Sequence, residues 1–464
     1  MNGDGNALQF LIAVLPISTM RTSRERAFYW SVQGVYGLSS CRSAMCMVRY
    51  SVSVLLLMLL LGACQQSAKQ TPEEKLAIGA WHMSLDLDTT NAYVDLPFQF
   101  ELARKDSGWQ MTIHNQDEAI LVDSIVLNGD SIRIRMPFFD SEFRGVIMNS
   151  KRVQGSWYNH YKGPDYAIPF TATAGERPRF AKTTTTASLD ISGDWEVHFT
   201  DTDDDEPAIG IFSVDHGHVK GSFATETGDL RFLEGVTTRD SLFLSSFNGS
   251  QAFLFSAAMR NDSLLGVFRS GHRWKQPWFA VRNPHFALAD DETLTRLDPA
   301  QPVTFAFPDT DGVMHSLKDE KYRDHAVVVE IMGTWCPNCM DESKMLNAFY
   351  SKYHKEGLEI VALCFERYPD SASSIATMHY FKKNMGLEYD MLYAGFANKD
   401  TVVKKLPFIS QLKSYPTTLL IGRDGTVRKI FTGIYGPGTG ARYVRFNDRM
   451  ENSIVELLRE PVSR

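Results

Sequence analysis

Hydrophobic and polar residues alternate in short runs between residues 76 and 283. Two such runs are Ser131 to Met136 and Leu242 to Leu244, and turn-forming pairs such as Asn128-Gly129 separate runs of this kind. Alternation with a period of two places one face of each segment in the core and the other in water, which is typical of β-strands. The pattern therefore predicts an all-β N-terminal half.

This β-rich half also contains an internal repeat. Three short motifs recur at an offset of about 110 residues: Gly79 and Trp81 return as Gly193 and Trp195, Asp130 and Ile132 as Asp240 and Leu242, and Gly155 and Trp157 as Gly266 and Phe268. The repeat predicts two β units, 76–178 and 189–283, each a meander that closes into a barrel or a sandwich. One larger barrel built from both units is the alternative.

A different pattern follows an acidic linker at 284–301. The continuous apolar run from Ala326 to Met332 predicts a buried strand, and apolar residues at helical spacing follow Cys339. Further periodic stretches predict helices at 374–385 and 443–458 and a last strand at 427–431. We therefore expect an α/β domain over 302–464.

Two cysteines lie where the buried strand gives way to the helix. Cys336 and Cys339 are close enough in sequence for their sulfurs to bond within one helical turn, and the helix N-terminus favours a thiolate over a thiol. Cys336 is the expected nucleophile and Cys339 the resolving thiol of a redox disulfide. Zinc would need two further Cys or His ligands, which this half of the chain does not offer at suitable spacing, so no metal is predicted.

A second motif lies about eighty residues downstream of the cysteines, at Tyr415-Pro416-Thr417-Thr418. Together with Trp335-Cys336-Pro337-Asn338-Cys339, this motif resembles the thioredoxin superfamily, and specifically the membrane-tethered thiol-disulfide oxidoreductases of the TlpA and ResA kind, over residues 302 to 464. The resemblance implies a thioredoxin fold in which the Tyr415–Pro416 bond is cis and faces Cys336, leaving a backbone edge for an extended substrate. It also implies that Trp335, Pro337 and Thr417 help to bind that substrate.

Two carboxyl groups are candidates for proton transfer. Glu330 lies six residues before Cys336, where thioredoxins keep a buried acid, and burial in a Val-rich strand should raise its pKa. Glu330 would then accept the proton of Cys339 when that thiol attacks a mixed disulfide. Glu342 is either an acid that the ResA kind place near the cysteines or a solvated helix residue, and the sequence leaves both hypotheses open.

Composition narrows the classes of partner. The chain has 464 residues, of which 44% are hydrophobic and 22% charged, which is globular and long enough for about three domains. With a net charge of -7 and no basic patch, the sequence does not predict nucleic-acid binding. The glycine-rich stretch 436–440 lacks the lysine of a phosphate loop, so no nucleotide and no other cofactor is expected.

The N-terminal region predicts export. Residues 47–63 combine a basic start, a short apolar core and small residues before Cys64, as in a signal peptide. The ending Leu-Gly-Ala-Cys resembles the bacterial lipobox, which implies lipidation of Cys64 and a tether at 64–75. Residues 1–46 would then be a misassigned upstream extension, although a cytoplasmic tail before a signal anchor is the alternative.

Together these features predict a lipid-anchored thiol-disulfide oxidoreductase of the bacterial cell envelope that faces the periplasm. Its partners would be disulfide-bearing envelope proteins and an upstream thiol protein that donates electrons. One alternative is a binding lipoprotein with an accessory redox domain, in which aromatic residues of the β units line a groove. Another is a peroxiredoxin-like antioxidant enzyme, although the proline and threonine that accompany a peroxidatic cysteine are missing. The remaining thiol, Cys364, is either a buried small hydrophobe or a third redox group.

Overall fold

A computed structural model of the chain describes residues 75–90, 94–180, 188–200 and 206–462. The predicted extension at 1–46, the predicted signal peptide and Cys64 lie outside the described residues, as does all of the predicted tether except Lys75. Within the described ranges, no helix is both long and apolar enough to cross a membrane.

The first sheet is a nine-stranded antiparallel meander. Its strands are β1 Gly79–Asp86, β2 Asp95–Lys105, β3 Gly108–Asn115, β4 Glu118–Val122, β5 Ile125–Asn128, β6 Ser131–Arg135, β7 Ser141–Asn149, β8 Arg152–Asn159 and β9 Ala167–Ala174. Strand β1 pairs with both β2 and β9, so the first and last strands of the meander join, and the sheet ends at β4 and β5. Trp81, Phe98 and Trp157 lie in its core.

The second sheet closes on itself. Its strands are β10 Gly193–Phe199, β11 Glu206–Asp215, β12 His218–Thr225, β13 Gly228–Asp229, β14 Leu233–Thr237, β15 Ser241–Phe247, β16 Ala252–Arg260, β17 Ser263–Ser270 and β18 Trp274–Val281. Because β11 pairs with both β10 and β12, the strands form a ring, and β13 is a short extension on β12. Stacked aromatic rings fill the barrel, with the Phe223 and Phe255 centroids 4.5 Å apart.

The two sheets pack against each other and are together called the β region. Phe247 of β15 inserts into the core of the first sheet, where its ring stacks 4.6 Å from that of Phe98. Asn115 donates a hydrogen bond to the Phe247 carbonyl at 2.8 Å. The prediction of an all-β N-terminal half is confirmed, and of the alternatives the structure has two barrel-like sheets and not one larger barrel.

The C-terminal half is built on a five-stranded mixed sheet of order β24-β23-β22-β26-β27. Its strands are β22 Ala326–Met332, β23 Leu358–Glu366, β24 Asp390–Phe396, β26 Thr417–Ile421 and β27 Val427–Thr432, and its helices are α1 Pro337–Tyr353, α2 Ser371–Met385, α3 Lys399–Lys405 and α4 Ala441–Leu458. Short pairs complete the half: β19 Arg296–Leu297 with β25 Ile409–Gln411, and β20 Ala306–Pro308 with β21 Met314–Ser316. All seven residues of β22 are buried because apolar clusters cover both faces of the sheet. The predicted thioredoxin fold of this half is confirmed.

Part of the segment predicted as an acidic linker is ordered against the C-terminal half. Strand β19 pairs with β25. Asp291 is buried beside Arg449, and the hydroxyls of Thr295 and Thr417 lie 3.3 Å apart. The limits of the individual domains stay predictions.

Candidate active site

Cys336 lies at the N-terminus of α1. Its backbone is extended, with φ -98° and ψ 117°, so it caps the helix while Pro337 occupies the first helical turn. The Cys339 amide donates a hydrogen bond to Cys336 Sγ at 3.3 Å. Free amides and the helix dipole stabilise negative charge at this position. The helix thus starts at the cysteine motif, as predicted. The two cysteines form a reduced dithiol, in which Cys336 is 6% exposed and Cys339 is fully buried.

The Tyr415–Pro416 loop lies against this dithiol. The peptide bond between these residues is cis, and Cys336 Sγ is 3.8 Å from the Tyr415 carbonyl oxygen. Trp335 approaches Tyr415 edge to face at 5.5 Å, and Thr417 is buried at the start of β26. The structure thus brings four predicted substrate-binding residues to one side of Cys336.

A cluster of buried acids lies beneath the dithiol. Glu330 accepts hydrogen bonds from Ser343 Oγ at 2.9 Å and from the Tyr389 hydroxyl at 3.1 Å. Burial raises the pKa of Glu330 to about 8, against the two hydrogen bonds, which lower it. At neutral pH this carboxyl group is therefore largely protonated.

Glu342 belongs to the same cluster. It accepts a hydrogen bond from Thr418 Oγ1 at 2.8 Å, and its other carboxyl oxygen has no hydrogen-bond partner within the described part of the chain. Burial and then the charge of Glu330 raise the pKa of Glu342 well above its usual range. The hypothesis of a solvated helix residue is wrong, because the side chain is completely buried.

Burial also governs the two inner thiols. It raises the pKa of Cys339, and the neighbouring Cys336 and Glu330 raise that pKa further. Cys339 must therefore lose a proton before it can act as a nucleophile. Cys364 is fully buried on β23, and burial raises its pKa as well.

Two residues that the sequence analysis did not single out adjoin the cysteine motif. Glu366, at the end of β23, accepts hydrogen bonds from the Thr334 amide at 3.0 Å and the Thr334 hydroxyl at 2.7 Å. Burial raises the pKa of Glu366 to about 7. The Arg367 guanidinium lies 3.8 Å above the Trp335 ring. The only signal for Glu366 in the sequence is its position at the end of the apolar run that forms β23.

The β region contacts the residues on either side of Cys336. The Tyr161 hydroxyl lies 3.1 Å from Thr334 Oγ1, and Ser250 Oγ donates to the Trp335 carbonyl at 3.0 Å. The Tyr415 loop is contacted as well, since Ser414 Oγ donates to the Thr227 carbonyl at 3.2 Å. Access to Cys336 is therefore shaped by both halves of the chain.

A buried arginine also contributes to the contact between the β region and the cysteine motif. Arg231 forms ion pairs with Asp341 of α1 and with Glu118 of β4, and it donates to the Pro337 carbonyl at 3.2 Å. Pro337, a predicted substrate-binding residue, is buried, and its carbonyl oxygen faces Arg231 of the β region. Asp229 lies beside Asp341, and burial raises its pKa to about 7.

A dithiol at a helix N-terminus, beside a cis-proline loop on a five-stranded mixed sheet, defines a thioredoxin-like domain. Residues 299–430 match the AhpC/TSA family. The C-terminal region of the chain is accordingly an AhpC/TSA (thioredoxin-like) domain.

Similar curated proteins include two named thiol-disulfide oxidoreductase ResA. The one from Geobacillus thermodenitrificans (strain NG80-2) is 30% identical over 129 residues, which is 28% of this chain and 66% of that protein. The one from Bacillus subtilis (strain 168) is 30% identical over 129 residues, covering 28% of this chain and 64% of that protein. The chain thus spans just under two thirds of the length of these relatives.

Part of the chain is also similar to solved structures. A putative thiol:disulfide interchange protein DsbE from Chlorobium tepidum is 21% identical, with a TM-score of 0.27, over 36% of this chain and 99% of that chain. StoA from Bacillus subtilis is 17% identical, with a TM-score of 0.24, over 33% of this chain and 98% of that chain.

Proposed function

We propose that this protein is a thiol-disulfide oxidoreductase that reduces disulfides in envelope proteins. The observation that carries the proposal is the position of Cys336 Sγ, which accepts the Cys339 amide at the start of α1 and lies beside the Tyr415–Pro416 loop. The names of the ResA relatives support the same chemistry.

The proposed reaction has two displacements. The Cys336 thiolate attacks one sulfur of the partner disulfide, which forms a mixed disulfide and releases the other partner sulfur as a thiolate that takes up a proton. Cys339 then loses its proton to Glu330 and attacks Cys336 Sγ, which releases the second partner thiolate. Two electrons pass to the partner, and Cys336 and Cys339 are left as a disulfide. An upstream thiol protein restores the dithiol.

Trapping the mixed disulfide tests this proposal. A Cys339→Ser variant should accumulate a covalent adduct with a disulfide-bearing protein, because the second displacement has no nucleophile. A Cys336→Ser variant should form none, whereas Cys364→Ser, which removes a buried thiol away from the motif, should react like the unmodified protein. Adducts that survive the loss of Cys336 would contradict the proposal.

We further propose that lipid on Cys64 holds the protein in the envelope with its domains facing the periplasm. The lipobox-like sequence before Cys64 supports this. Mass spectrometry of the mature N-terminus tests it, because a lipidated Cys64 is expected and a peptide that begins at Met1 would exclude it.

The role proposed for the β region is selection of the partner. Its contacts with Thr334, Trp335 and Pro337 support this role, since a partner must approach Cys336 past them. The alternative of a binding lipoprotein with an accessory redox domain predicts that ligand capture survives replacement of both active-site cysteines.

A further inference from the structure

Three basic side chains lie at the mouth of the dithiol site, and each comes from a different part of the chain. Lys162 belongs to the first sheet's short helical turn, Arg273 to the loop before β18, and Arg367 to the segment after β23. Arg273 and Arg367 are exposed, and Lys162 is half-buried. Arg367 is close enough to Cys336 for their charges to interact, and Lys162 interacts in the same way with Arg367 and Arg273.

Aromatic rings hold these cations in place. Lys162 Nζ and Arg273 Cζ each lie 5.0 Å from the centre of the Tyr166 ring, and Arg273 Nη1 donates to the Lys162 carbonyl at 3.3 Å. On the other side, Arg367 Cζ lies 3.8 Å from the centre of the Trp335 ring. Cation–π contacts of this kind orient a charge without neutralising it.

The two sides are linked by a pair of tyrosines. Tyr161 precedes Lys162, Tyr368 follows Arg367, and their rings lie 5.5 Å apart. Tyr161 also reaches Thr334, two residues before Cys336. The three cations consequently form one cluster beside the cysteine motif.

Within the described part of the chain, none of the three cations has a carboxylate at ion-pair distance. Glu366, which directly precedes Arg367, bonds to Thr334 instead, and Asp140 accepts a hydrogen bond from the Tyr368 hydroxyl. Burial and then the charges of Arg367 and Arg273 lower the pKa of Lys162 to about 8, so it remains mostly charged at neutral pH. Unpaired like charges repel each other, so a bound anion would stabilise this cationic cluster. The cluster stands out because the chain as a whole has a net charge of -7.

We propose that Lys162, Arg273 and Arg367 form a docking site for an acidic segment of the substrate protein, next to the disulfide that Cys336 attacks. This inference rests on the proposed function and names the chemistry of its substrate. Guanidinium groups suit carboxylates because they can donate two parallel hydrogen bonds. The cations come from three parts of the chain, which fits an extended acidic segment better than a single small anion.

Reduction of matched peptides by the full-length protein tests the proposal. Three peptides with one internal disulfide each differ only in flanking residues, which are acidic, neutral or basic. In single-turnover reactions with the reduced protein, we expect the acidic peptide to react about tenfold faster than the basic one at low salt. The ratio should approach one in 1 M salt, where exposed charges are screened beyond about 3 Å.

The decisive variant is Lys162→Gln with Arg273→Gln. It leaves Arg367 in place, because that charge lies beside Trp335 and next to the cysteine motif and could also affect Cys336 directly. The ratio of acidic to basic rates should fall from about ten to about two, the remainder being due to Arg367. The matched control is Lys355→Gln with Arg445→Gln, two exposed cations without ion pairs among the described residues, and it should keep the ratio.

Each outcome has a separate meaning. Equal rates for acidic and basic peptides, with the neutral peptide still reduced, would overturn the docking site and leave the proposed function intact. If the neutral peptide is not reduced, the proposed function fails, and docking is measured by fluorescence anisotropy of a labelled acidic peptide without cysteines. That peptide should bind in a salt-dependent manner and about tenfold more weakly to the double variant. Binding to phosphatidylglycerol vesicles but not to the peptide would overturn the assignment to a protein segment.

Discussion

Among the single residues of the site, Glu330 is the one whose environment most constrains its chemistry. It lies on the central strand, bonded to Ser343 and Tyr389, in a core that contains no compensating cation among its hydrogen-bond partners. Burial therefore raises its pKa to about 8, close to the pH at which a general base is most effective. The same burial leaves Cys339 protonated, so the two groups are matched as acceptor and donor of one proton.

Replacing Glu330 with Gln should slow the second displacement. General bases typically contribute a factor of 10² to 10⁴, so we expect the mixed disulfide on Cys336 to persist roughly a hundredfold longer at pH 8. In the unmodified protein the rate should rise with pH up to about 8, as the Glu330 carboxylate forms, and the variant should lose this rise. Acid-quenched samples resolved by mass spectrometry measure the lifetime. An exposed replacement, Glu101→Gln, serves as the control, and equal lifetimes in Glu330→Gln and in the control would exclude Glu330 as the base.

Glu330 should also make stability depend on pH. Its pKa is raised in the fold from 4.5 to about 8, so its contribution is fully present below about pH 4.5 and is lost as the pH rises through about 8. This difference in pKa corresponds to a ceiling of about 5 kcal/mol at 1.36 kcal/mol per unit. We expect Glu330→Gln to unfold at a higher urea concentration than the unmodified protein at pH 9, and the advantage to shrink at pH 5. A constant difference between the two proteins across this range would contradict the assignment.

Among the elements, α1 and β22 could be predicted from sequence because their patterns are local. The apolar run of β22 and the helical spacing after Cys339 each lie within one segment, and the cysteine motif sets the helix start. The contacts of the β region with the site carry no such signal. Tyr161 and Thr334 are 173 residues apart, and Ser250 and Trp335 are 85 apart.

The ordered part of the linker likewise could not be predicted from local sequence. Its acidic composition predicts a solvated connection, yet Asp291 is buried because Arg449 of α4 lies beside it. Likewise, the position of Glu342 on the helix was not enough to distinguish a buried acid from a solvated one. In each case the deciding partner belongs to a distant part of the sequence.

A substitution at Gly228 of β13 tests the contact between this strand and α1. Gly228 has a φ of +144°, and a Cβ atom there would overlap the Asn338 side chain of α1. Gly108 has a similar φ of +131° but open space around it. Gly228→Ala should therefore destabilise the protein by about 1 kcal/mol more than Gly108→Ala, because both share the backbone strain and only one forces the Asn338 amide to move. Urea unfolding of the two variants measures the difference, and equal losses would show that β13 does not press on the cysteine motif.

At the scale of the described chain, buried residues join the three large sheets. Phe247 of the second barrel completes the core of the first, and Arg231 joins Glu118 of the first sheet to Asp341 of α1. An arginine buried between two carboxylates is costly to break, because removal of the cation leaves both acids uncompensated. Arg231 is therefore the buried ionic contact among several polar contacts that join the β region to the residues around the cysteine motif.

Replacing Arg231 with Leu should loosen the β region from the thioredoxin-like domain. We expect a loss of about 3 kcal/mol in the free energy of unfolding, because Asp341 remains buried and Glu118 remains partly buried without their partner. Arg260→Leu is the matched control, since it breaks an exposed ion pair with Asp240 in the same barrel and should cost no more than about 1 kcal/mol.

A second measurement on Arg231→Leu separates loss of the contact over the active site from loss of folding stability. Under native conditions, iodoacetamide should modify Cys336 faster in Arg231→Leu than in the control, because the residues around Pro337 lose their cover. If the variant is destabilised but Cys336 reacts at the control rate, Arg231 does not hold the β region over the active site, and other contacts, such as those of Tyr161, Ser250 and Ser414, maintain it.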